Sequence, residues 1–347
     1  MTPAPAFGDA VAGCLLGGAV GDALGAVVEF DSLDDIRRRY GPAGLVDFPT
    51  GGGRITDDTQ MTLFTAEGLM RARRRFDARR IDHATDQLWS AYRRWLATQG
   101  EGKNADDGAD DGGGGDGGGG LVEEPVLRHR RAPGHTCLSA LVGNEPGFVD
   151  LPVNNSKGCG GVMRVAPVGL VARRPSGLGI ASAALTHGHP SGYLAAGATA
   201  DIIGRLRAGE RLRPAAEAAM EALAAWDGHE ETTAALRGAL SLAESDPVPT
   251  PEAVARLGEG WVAEEALAIA VYCALTGDTF EAAVRAAVNH SGDSDSTGAV
   301  TGNLLGAAGG RSVVPGDWIA ALAERAVVER VAEELTACFD PSSGSSR

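Results

Sequence analysis

Apolar residues recur at intervals of three and four along most of the chain, which is the spacing of one face of an α-helix. The stretches with this spacing are rich in good helix formers. The clearest of them are residues 83–97, 192–209, 214–226, 261–277 and 317–338. Alternating apolar and polar runs rich in Val, Ile and Tyr are nearly absent. The pattern therefore predicts an all-α protein with few strands or none.

Two further predicted helices carry a glycine at every fourth position. The two rows consist of Gly13, Gly17, Gly21 and Gly25, and of Gly298, Gly302, Gly306 and Gly310. A glycine inside a helix costs about 0.5–1 kcal/mol relative to alanine. A row of glycines on one face is tolerable where it lets two backbones approach closely. We interpret both rows as packing surfaces, whose close contact would hold the acidic residues that flank them in fixed positions.

The charge balance narrows the classes of ligand. The chain has 347 residues, enough for one large domain or two ordinary ones. It carries 31 basic and 46 acidic side chains, for a net charge of −15. This balance argues against general nucleic-acid binding, which relies on clustered Lys and Arg to neutralise phosphates. Binding of a small anionic ligand is compatible with this balance, since a local site can be positive on a protein whose net charge is negative.

The cysteines and the apolar runs indicate the compartment. The chain has five scattered cysteines and no CxxC pair, which fits neither a zinc site nor a disulfide framework. The longest uncharged run of small and apolar residues, 10–21, is too short to span a bilayer, and no basic stretch precedes it. We therefore expect a soluble cytoplasmic protein without a membrane segment or a signal peptide.

One low-complexity segment, EGKNADDGADDGGGGDGGGG at residues 101–120, interrupts the chain. It has almost nothing apolar to bury, so we predict a disordered loop. Acidic pairs lie on both sides of it, and if they serve one site, both sides must fold together. We therefore predict one domain over residues 8–340 that contains this insertion, followed by a disordered tail at 341–347.

Two clusters of acidic and hydroxyl side chains each open a predicted helix. Their members are Thr56, Asp57, Asp58, Asp293, Asp295 and Ser296. One interpretation is helix capping and complementation of the helix dipole, worth about 0.3–1 kcal/mol per charge. The other is a metal site, because such oxygen ligands suit hard cations such as Mg²⁺ or Mn²⁺, and four carboxylates would balance two divalent ions.

Three other features are weaker candidates. The segment SKGCGG at residues 156–161 lets backbone N–H groups approach an anion, with Lys157 and Arg164 as added positive charge, or it is an ordinary glycine turn. His187 lies before a predicted helix and is either a ligand contact or an ordinary surface side chain. Glu29 ends the first glycine-patterned helix, where a lone glutamate is usually a solvated side chain.

Five segments taken together resemble the ADP-ribosylglycohydrolase family. They occur in the family's order and span residues 13–307, nearly the whole chain. The segments are GCLLGGAVGDALGAVVEF, GRITDDTQMTL, NNSKGCGGVMRVAPVGL, LTHGHPSGYLAAGA and VNHSGDSDSTGAVTGNLLGA. The acidic motifs are specific as a pair, because they keep the family's spacing from the first helix and from each other.

The resemblance implies a fold and a cofactor. Members of the family are single compact all-helical domains, orthogonal multi-helix bundles with a central cleft that holds two divalent cations, Mg²⁺ or Mn²⁺. Matched by motif, the metal shell of this chain would be Thr56, Asp57, Asp58, Asp293, Asp295 and Ser296. The last position is often threonine in the family, and serine keeps the hydroxyl.

The resemblance also implies roles for other residues. Glu29 falls on a glutamate that takes part in catalysis in some members, so the expected catalytic residues are Glu29, Asp58 and Asp293. The expected ligand-binding residues, on the loop that contacts the diphosphate and beside the adenosine, are Ser156, Lys157, Gly158, Cys159, Gly160, Gly161 and His187. Cys159 stands where many members carry asparagine, which puts that side-chain contact in doubt but not the backbone contacts.

The function that the resemblance implies is hydrolysis of the glycosidic bond between ADP-ribose and an acceptor, with arginine of a modified protein as the preferred acceptor. Serine-linked, polymeric and O-acetyl-ADP-ribose remain alternatives, as does another nucleotide-derived small molecule. A third alternative is a structural or binding relative without turnover. We expect an ADP-ribosylated protein or an ADP-ribose-derived small molecule as the partner, and a monomeric enzyme.

Overall fold

Helices make up the regular structure of the chain. The computed structural model describes residues 4–79, 83–101 and 120–340. The α-helices are α1 (Phe7–Gly25), α2 (Leu33–Tyr40), α3 (Asp57–Arg79), α4 (Ala84–Thr98), α5 (His135–Val142), α6 (Ala166–Val171), α7 (Pro175–Ala184), α8 (Pro190–Arg207), α9 (Leu212–Leu223), α10 (Glu230–Ser245), α11 (Pro251–Val254), α12 (Ala263–Thr276), α13 (Phe280–Val288), α14 (Ser294–Gly309), α15 (Gly316–Ala321) and α16 (Arg325–Phe339). The short 3₁₀ helices are Leu121–Glu123, Pro125–Leu127, Cys159–Gly161, Ala255–Leu257 and Arg311–Val313. Within the described ranges β-structure is limited to isolated bridges, which confirms the predicted all-α class.

The apolar faces of these helices meet in one buried cluster that extends from Val11 to Leu335. Its members come from both sides of the segment at residues 101–120. Apart from Glu101 and Gly120, that predicted insertion lies outside the described residues, as does the predicted tail at 341–347. The clustering therefore joins the two parts of the chain that carry the acidic motifs.

α1 and α14 pack against each other along the two glycine rows. A Cβ atom at Gly13 would lie 2.5 Å from the carbonyl oxygen of Gly306, and one at Gly298 would lie 2.5 Å from the carbonyl oxygen of Gly21. Only glycine permits so close an approach of two backbones. The pairing also places the C-terminal end of α1 beside the N-terminal end of α14, so the helices are antiparallel. The interpretation of the glycine rows as packing surfaces is confirmed.

The end of the chain differs from the sequence prediction. The helical pattern at residues 317–338 forms two helices, α15 and α16, with a break between them. At the break, Ala323 N donates to Gly53 O over 3.0 Å, and Gly53 N donates to Ala321 O over 3.1 Å. The Glu324 carboxylate accepts from Ile55 N over 3.2 Å. Backbone groups that would continue the helix are used to hold the segment that leads into α3.

α1 is the one described helix that is long and apolar enough to cross a membrane, judged by length and composition alone. It is longer than the uncharged run at residues 10–21, because Asp9 and Asp22 lie inside it. Of its most apolar window, 78% is buried inside the protein. Burial of this kind is typical of a core helix, and α1 packs on α14 and α16.

Candidate active site

Three helix ends meet at one cleft. α3 begins at Asp57, α14 begins after its N-cap residue Asp293, and Glu29 lies in the turn that follows α1. The cleft has a volume of about 200 Å³. The predicted site residues that line it are Glu29, Asp57, Asp58, Gly158, Cys159, Gly160, His187, Asp293, Asp295 and Ser296. The tertiary structure therefore brings together motifs that are more than 200 residues apart in the sequence.

Asp22 anchors the start of α3, and sequence reasoning missed it. Its carboxylate is fully buried and accepts from Thr56 N over 3.0 Å, from Thr56 Oγ1 over 2.8 Å and from Thr59 N over 3.1 Å. Thr56 Oγ1 also accepts from Asp58 N over 3.3 Å, so it caps α3 as predicted. Thr56 is not part of the cleft lining. The signal in the sequence was an aspartate inside an apolar helix, since a buried carboxylate needs partners.

The start of α14 is held by its own acidic residues. Asp293 Oδ1 accepts from Ser296 N over 3.2 Å and Asp295 Oδ1 accepts from the same N–H over 2.9 Å. The Cys159 thiol donates to Asp293 Oδ2 over 2.8 Å. These contacts confirm the capping interpretation. Capping uses only part of each carboxylate, so it does not conflict with a ligand role for the same side chains.

Burial and mutual repulsion oppose ionisation of the acidic side chains. The pKa values of Asp57, Asp58 and Asp293 lie well above the usual range, first because burial removes solvent and second because Asp295 is nearby. Burial, followed by the charges of Asp295, Asp293 and Asp57, raises the pKa of Glu29 to about 10. Protons or cations must therefore balance this cluster at neutral pH.

The donor set of the cleft has the chemistry of a hard-cation site. All of the predicted metal-shell side chains offer oxygen, which suits Mg²⁺ or Mn²⁺ rather than zinc. Asp58 Oδ2 is buried and has no hydrogen-bond partner among the described residues. In the part of the chain that the structure describes, no group of three or more Asp, Glu, His or Cys side chains is arranged as the ligands of one metal ion. The carboxylates that could receive an ion therefore share one cleft but are not arranged around one point.

The glycine loop at residues 156–161 is tied to the segment before α12. Cys159 N donates to Trp261 O over 3.2 Å, and Ala263 N donates to Lys157 O over 2.8 Å. A Cβ atom at Gly160 would lie 2.7 Å from Cys137 Sγ and 2.9 Å from the His187 ring. Glycine at this position therefore lets the loop pass close to the ring.

The two cations suggested by the sequence do not line the cleft. The Lys157 ammonium lies 2.6 Å from Glu264 Oε1 and 2.9 Å from Glu231 Oε2. Arg164 is fully buried, with its guanidinium over the ring of Tyr92 at 4.1 Å. Ser156 and Gly161 also lie outside the lining. Contacts from this region to an anion would therefore come mainly from the backbone and side chains of residues 158–160.

His187 is buried beneath the glycine loop. Its side chain is 1% exposed, and its Nδ1 lies 2.8 Å from Thr186 Oγ1. Burial, and then the charge of Arg164, lowers the pKa of His187 to about 3. The ring is neutral at physiological pH, so it can contact a ligand or orient the loop but cannot donate a proton there as imidazolium.

The cleft also includes residues that no sequence motif indicated. The loop before α5, the first turn of α5 and the segment before α12 contribute Ala132, Gly134, His135, Thr136, Cys137 and Trp261. Gly134 N donates to Asp57 Oδ2 over 3.1 Å. These residues reach the site because their segments pack on α3 and on the glycine loop. A contact of this kind produces no recognisable pattern in the local sequence.

Comparison with known proteins decides the family. The profile described as ADP-ribosylglycohydrolase matches residues 3–344. This chain belongs to the ADP-ribosylglycohydrolase family. The resemblance drawn from the motifs is confirmed, and the family's activity is hydrolysis of ADP-ribose linkages.

Two relatives and one solved structure agree with membership of this glycohydrolase family. The ADP-ribosyl-[dinitrogen reductase] glycohydrolase of Rhodospirillum rubrum is 28% identical over 335 residues, covering 92% of each chain. An uncharacterized protein of Archaeoglobus fulgidus is 26% identical over 331 residues, covering 93% of this chain and 94% of that protein. A solved structure titled ADP-ribosylglycohydrolase-related protein complex superposes with a TM-score of 0.64 at 25% identity, covering 96% of this chain and 99% of that one.

The raised carboxyl pKa values of this glycohydrolase predict how its stability depends on pH. A carboxyl group whose pKa is higher in the folded state stabilises the fold by holding a proton. For Glu29 this contribution is complete below its ordinary pKa of 4.5 and is lost as pH rises through about 10. For Asp22 the contribution is lost between its ordinary pKa of 3.8 and its folded-state pKa of about 7. The lowered pKa of His187 has the opposite effect on stability: the fold becomes less stable as pH falls, but only below the ordinary pKa of 6.5.

EDTA-treated protein is therefore expected to melt at a lower temperature at pH 8.5 than at pH 7. Glu29→Gln should reduce this decline, because the neutral side chain has no proton to lose. Saturating Mg²⁺ should reduce it as well by balancing the carboxylates. The melting temperature, followed by circular dichroism, checks the expectation, and a higher value at pH 8.5 would contradict it.

Proposed function

We propose that this protein is a metal-dependent glycohydrolase that removes ADP-ribose from arginine side chains of modified proteins. The observation that carries the proposal is one cleft in which Glu29 and two buried carboxylate pairs converge. The net charge of −15 on the whole protein favours the approach of a cationic acceptor such as a guanidinium group. The relative from Rhodospirillum rubrum is named for removing ADP-ribose from a protein. The proposed enzyme is a cytoplasmic monomer.

Two divalent cations, Mg²⁺ or Mn²⁺, belong to the proposal. The side chains that would hold them are Thr56, Asp57, Asp58, Asp293, Asp295 and Ser296. When bound, such ions would balance the carboxylate charges and orient the hydroxyl groups of the ribose next to the scissile bond. The unpartnered Oδ2 atom of Asp58 and the raised pKa values of the cluster support this part of the proposal.

The protein's own groups supply the proton transfers. Glu29, whose pKa is raised first by burial, donates a proton to the nitrogen of the leaving arginine as the bond to the ribose C1″ breaks. As it loses this proton, Glu29 gains a negative charge that stabilises the oxocarbenium-like transition state. A water adds to C1″, and its proton passes to Asp58 or Asp293. The products are free ADP-ribose and an unmodified arginine.

The remaining ligand contacts follow the motif assignments. We propose that the diphosphate lies on the loop at residues 156–161 and that the adenosine lies on the side of His187. Gly158, Cys159, Gly160 and His187 line the cleft, which supports this arrangement. Lys157 is already paired with two glutamates, and Gly158 N and Cys159 N donate to Ser156 Oγ and Trp261 O, so the backbone donor that this part of the loop offers to an anion is Gly160 N.

Other substrates remain competing proposals. Serine-linked, polymeric and O-acetyl-ADP-ribose share the ADP-ribose part, and the carboxylates of the cleft do not separate these acceptors. A different nucleotide-derived molecule would use the same carboxylates. A non-catalytic relative would need none of them, and the presence of Glu29 together with both acidic pairs favours an enzyme.

The first experiment measures release of free ADP-ribose from two peptides, one modified on arginine and one on serine. Each is incubated with Mg²⁺, with Mn²⁺ and with EDTA. We expect metal-dependent release from the arginine-linked peptide only. Release from the serine-linked peptide alone would reassign the linkage. No release from either peptide by metal-loaded protein would reject both linkages and favour a small-molecule substrate.

A further inference from the structure

Two aromatic side chains stack at the mouth of the acidic cleft, and the proposed chemistry leaves them without a role. The rings of Phe30 and Trp261 have centroids 6.1 Å apart and planes inclined by 19°. Phe30 is 77% exposed, the highest value among the exposed large apolar side chains in the described ranges, and Trp261 is 41% exposed. Exposed aromatic surface of this kind beside a cleft is typical of a binding site.

The backbone holds both rings close to the reacting groups. Trp261 lines the cleft, and its carbonyl oxygen accepts from Cys159 N over 3.2 Å. Glu259 O, two residues earlier, accepts from Asp293 N over 2.8 Å. Phe30 directly follows Glu29, which lines the cleft. The position of the ring pair is therefore defined relative to the carboxylates on both sides of the cleft.

Phe30 lies beside the residue that serves the leaving group and Trp261 lies beside the loop assigned to the diphosphate, so the stacked rings connect these two parts of the cleft. Glu29 is the residue to which we assign the proton for the leaving nitrogen, and Phe30 is its neighbour in the chain. The adenosine side is assigned to His187, which is buried beneath the glycine loop. A group that leaves the cleft past Glu29 would meet the Phe30 and Trp261 rings before it reaches solvent.

The charge around the rings indicates which kind of acceptor group would bind on them. A planar cation binds favourably over an aromatic face, and guanidinium also stacks on it. Glu259 is exposed two residues before Trp261 and lies outside the cleft lining, so neither the proposed cations nor the proton of Glu29 balances its charge. An aromatic surface with acidic surroundings suits a guanidinium group better than a neutral serine or a phosphate.

We propose that Phe30 and Trp261 form a platform for the guanidinium group of the acceptor arginine and so determine the linkage that the enzyme accepts. This inference rests on the proposed function. Neither ring takes part in bond breaking, so both act on acceptor binding. The platform would bind the acceptor without contributing to the affinity for free ADP-ribose.

The test compares Phe30→Ala and Trp261→Ala with wild type. Steady-state kinetics on an arginine-linked peptide gives KM and kcat, and calorimetry gives the Kd for ADP-ribose. We expect KM to rise about tenfold in each variant. The change in kcat should be smaller, and the Kd for ADP-ribose should stay within about twofold. Trp261→Phe, which keeps an aromatic face, should recover most of the loss.

The matched control is Trp226→Ala, because Trp226 is 37% exposed and is not part of the cleft lining. An unchanged KM in both platform variants overturns the inference. A weakened Kd for ADP-ribose also overturns it, by assigning the rings to the nucleotide. The proposed function fails differently, through absence of release by the wild-type enzyme, whereas this inference fails while wild-type activity is present.

Discussion

Asp57→Asn and Asp293→Asn are each expected to lower kcat/KM for the ADP-ribosylated substrate by about a thousandfold or more. Each change removes one negative charge from the site that we propose for the cations. Neither change removes volume. In the first variant the new amide oxygen can still accept from Gly134 N, and in the second it can still cap α14 through Ser296 N, because asparagine is a good N-cap residue. The loss should therefore be one of chemistry and ion binding rather than of structure.

The stability of the two variants distinguishes a loss of chemistry and ion binding from a loss of structure. Asp57 and Asp293 are buried, and their pKa values are raised by burial and by the charge of Asp295. Asparagine has no charge to desolvate, so the EDTA-treated variants should melt at the same temperature as wild type or at a higher one. The stabilisation that Mg²⁺ confers on wild type should shrink in both variants.

The measurements are kcat/KM at saturating Mg²⁺ and melting temperature with and without the ion. Asp317→Asn is the matched control, because Asp317 is an exposed acid in the first turn of α15 and does not line the cleft. It should leave both quantities unchanged. Full activity in both cleft variants would remove the basis for the metal and catalytic assignments.

Gly302→Ala is expected to lower the free energy of unfolding by about 3 kcal/mol. A Cβ atom at this position would lie 2.5 Å from the carbonyl carbon of Gly17. The obstacle is backbone, so no rotation of a side chain can relieve it, and α1 and α14 must separate. Separation also moves Glu29 away from Asp293, so activity should fall together with stability.

Gly238→Ala is the control for the general effect of glycine in a helix. Gly238 lies inside α10, where an added Cβ would be 3.9 Å from the nearest atom, Leu257 Cδ2. There alanine should be neutral or should stabilise the protein by up to about 1 kcal/mol. Urea denaturation of both variants gives the comparison. A Gly302→Ala protein as stable as wild type would show that the two helices tolerate a wider spacing.

Local sequence patterns determine much of this molecule. Helical periodicity predicts the all-α class because an amphipathic helix must bury one face, and that requirement repeats every turn. The glycine rows predict a close helix pair, since no other residue type permits backbone contact of this kind. The caps at Thr56 and Asp293 are readable too, because capping is decided within four residues. The family motifs carry the enzyme class for the same reason, as each is a short local segment.

Long-range contacts decide the rest. Asp22 anchors α3, the helical pattern at residues 317–338 breaks where it meets Gly53, and Lys157 is paired with glutamates 74 and 107 residues away. Each depends on which backbone or side-chain groups packing brings within hydrogen-bond distance, and residue types alone do not specify those partners. The raised carboxyl pKa values and the Phe30–Trp261 stack arise in the same way. Periodicity and capping act within a few residues, whereas burial, repulsion and ring stacking depend on distances that only the folded chain defines.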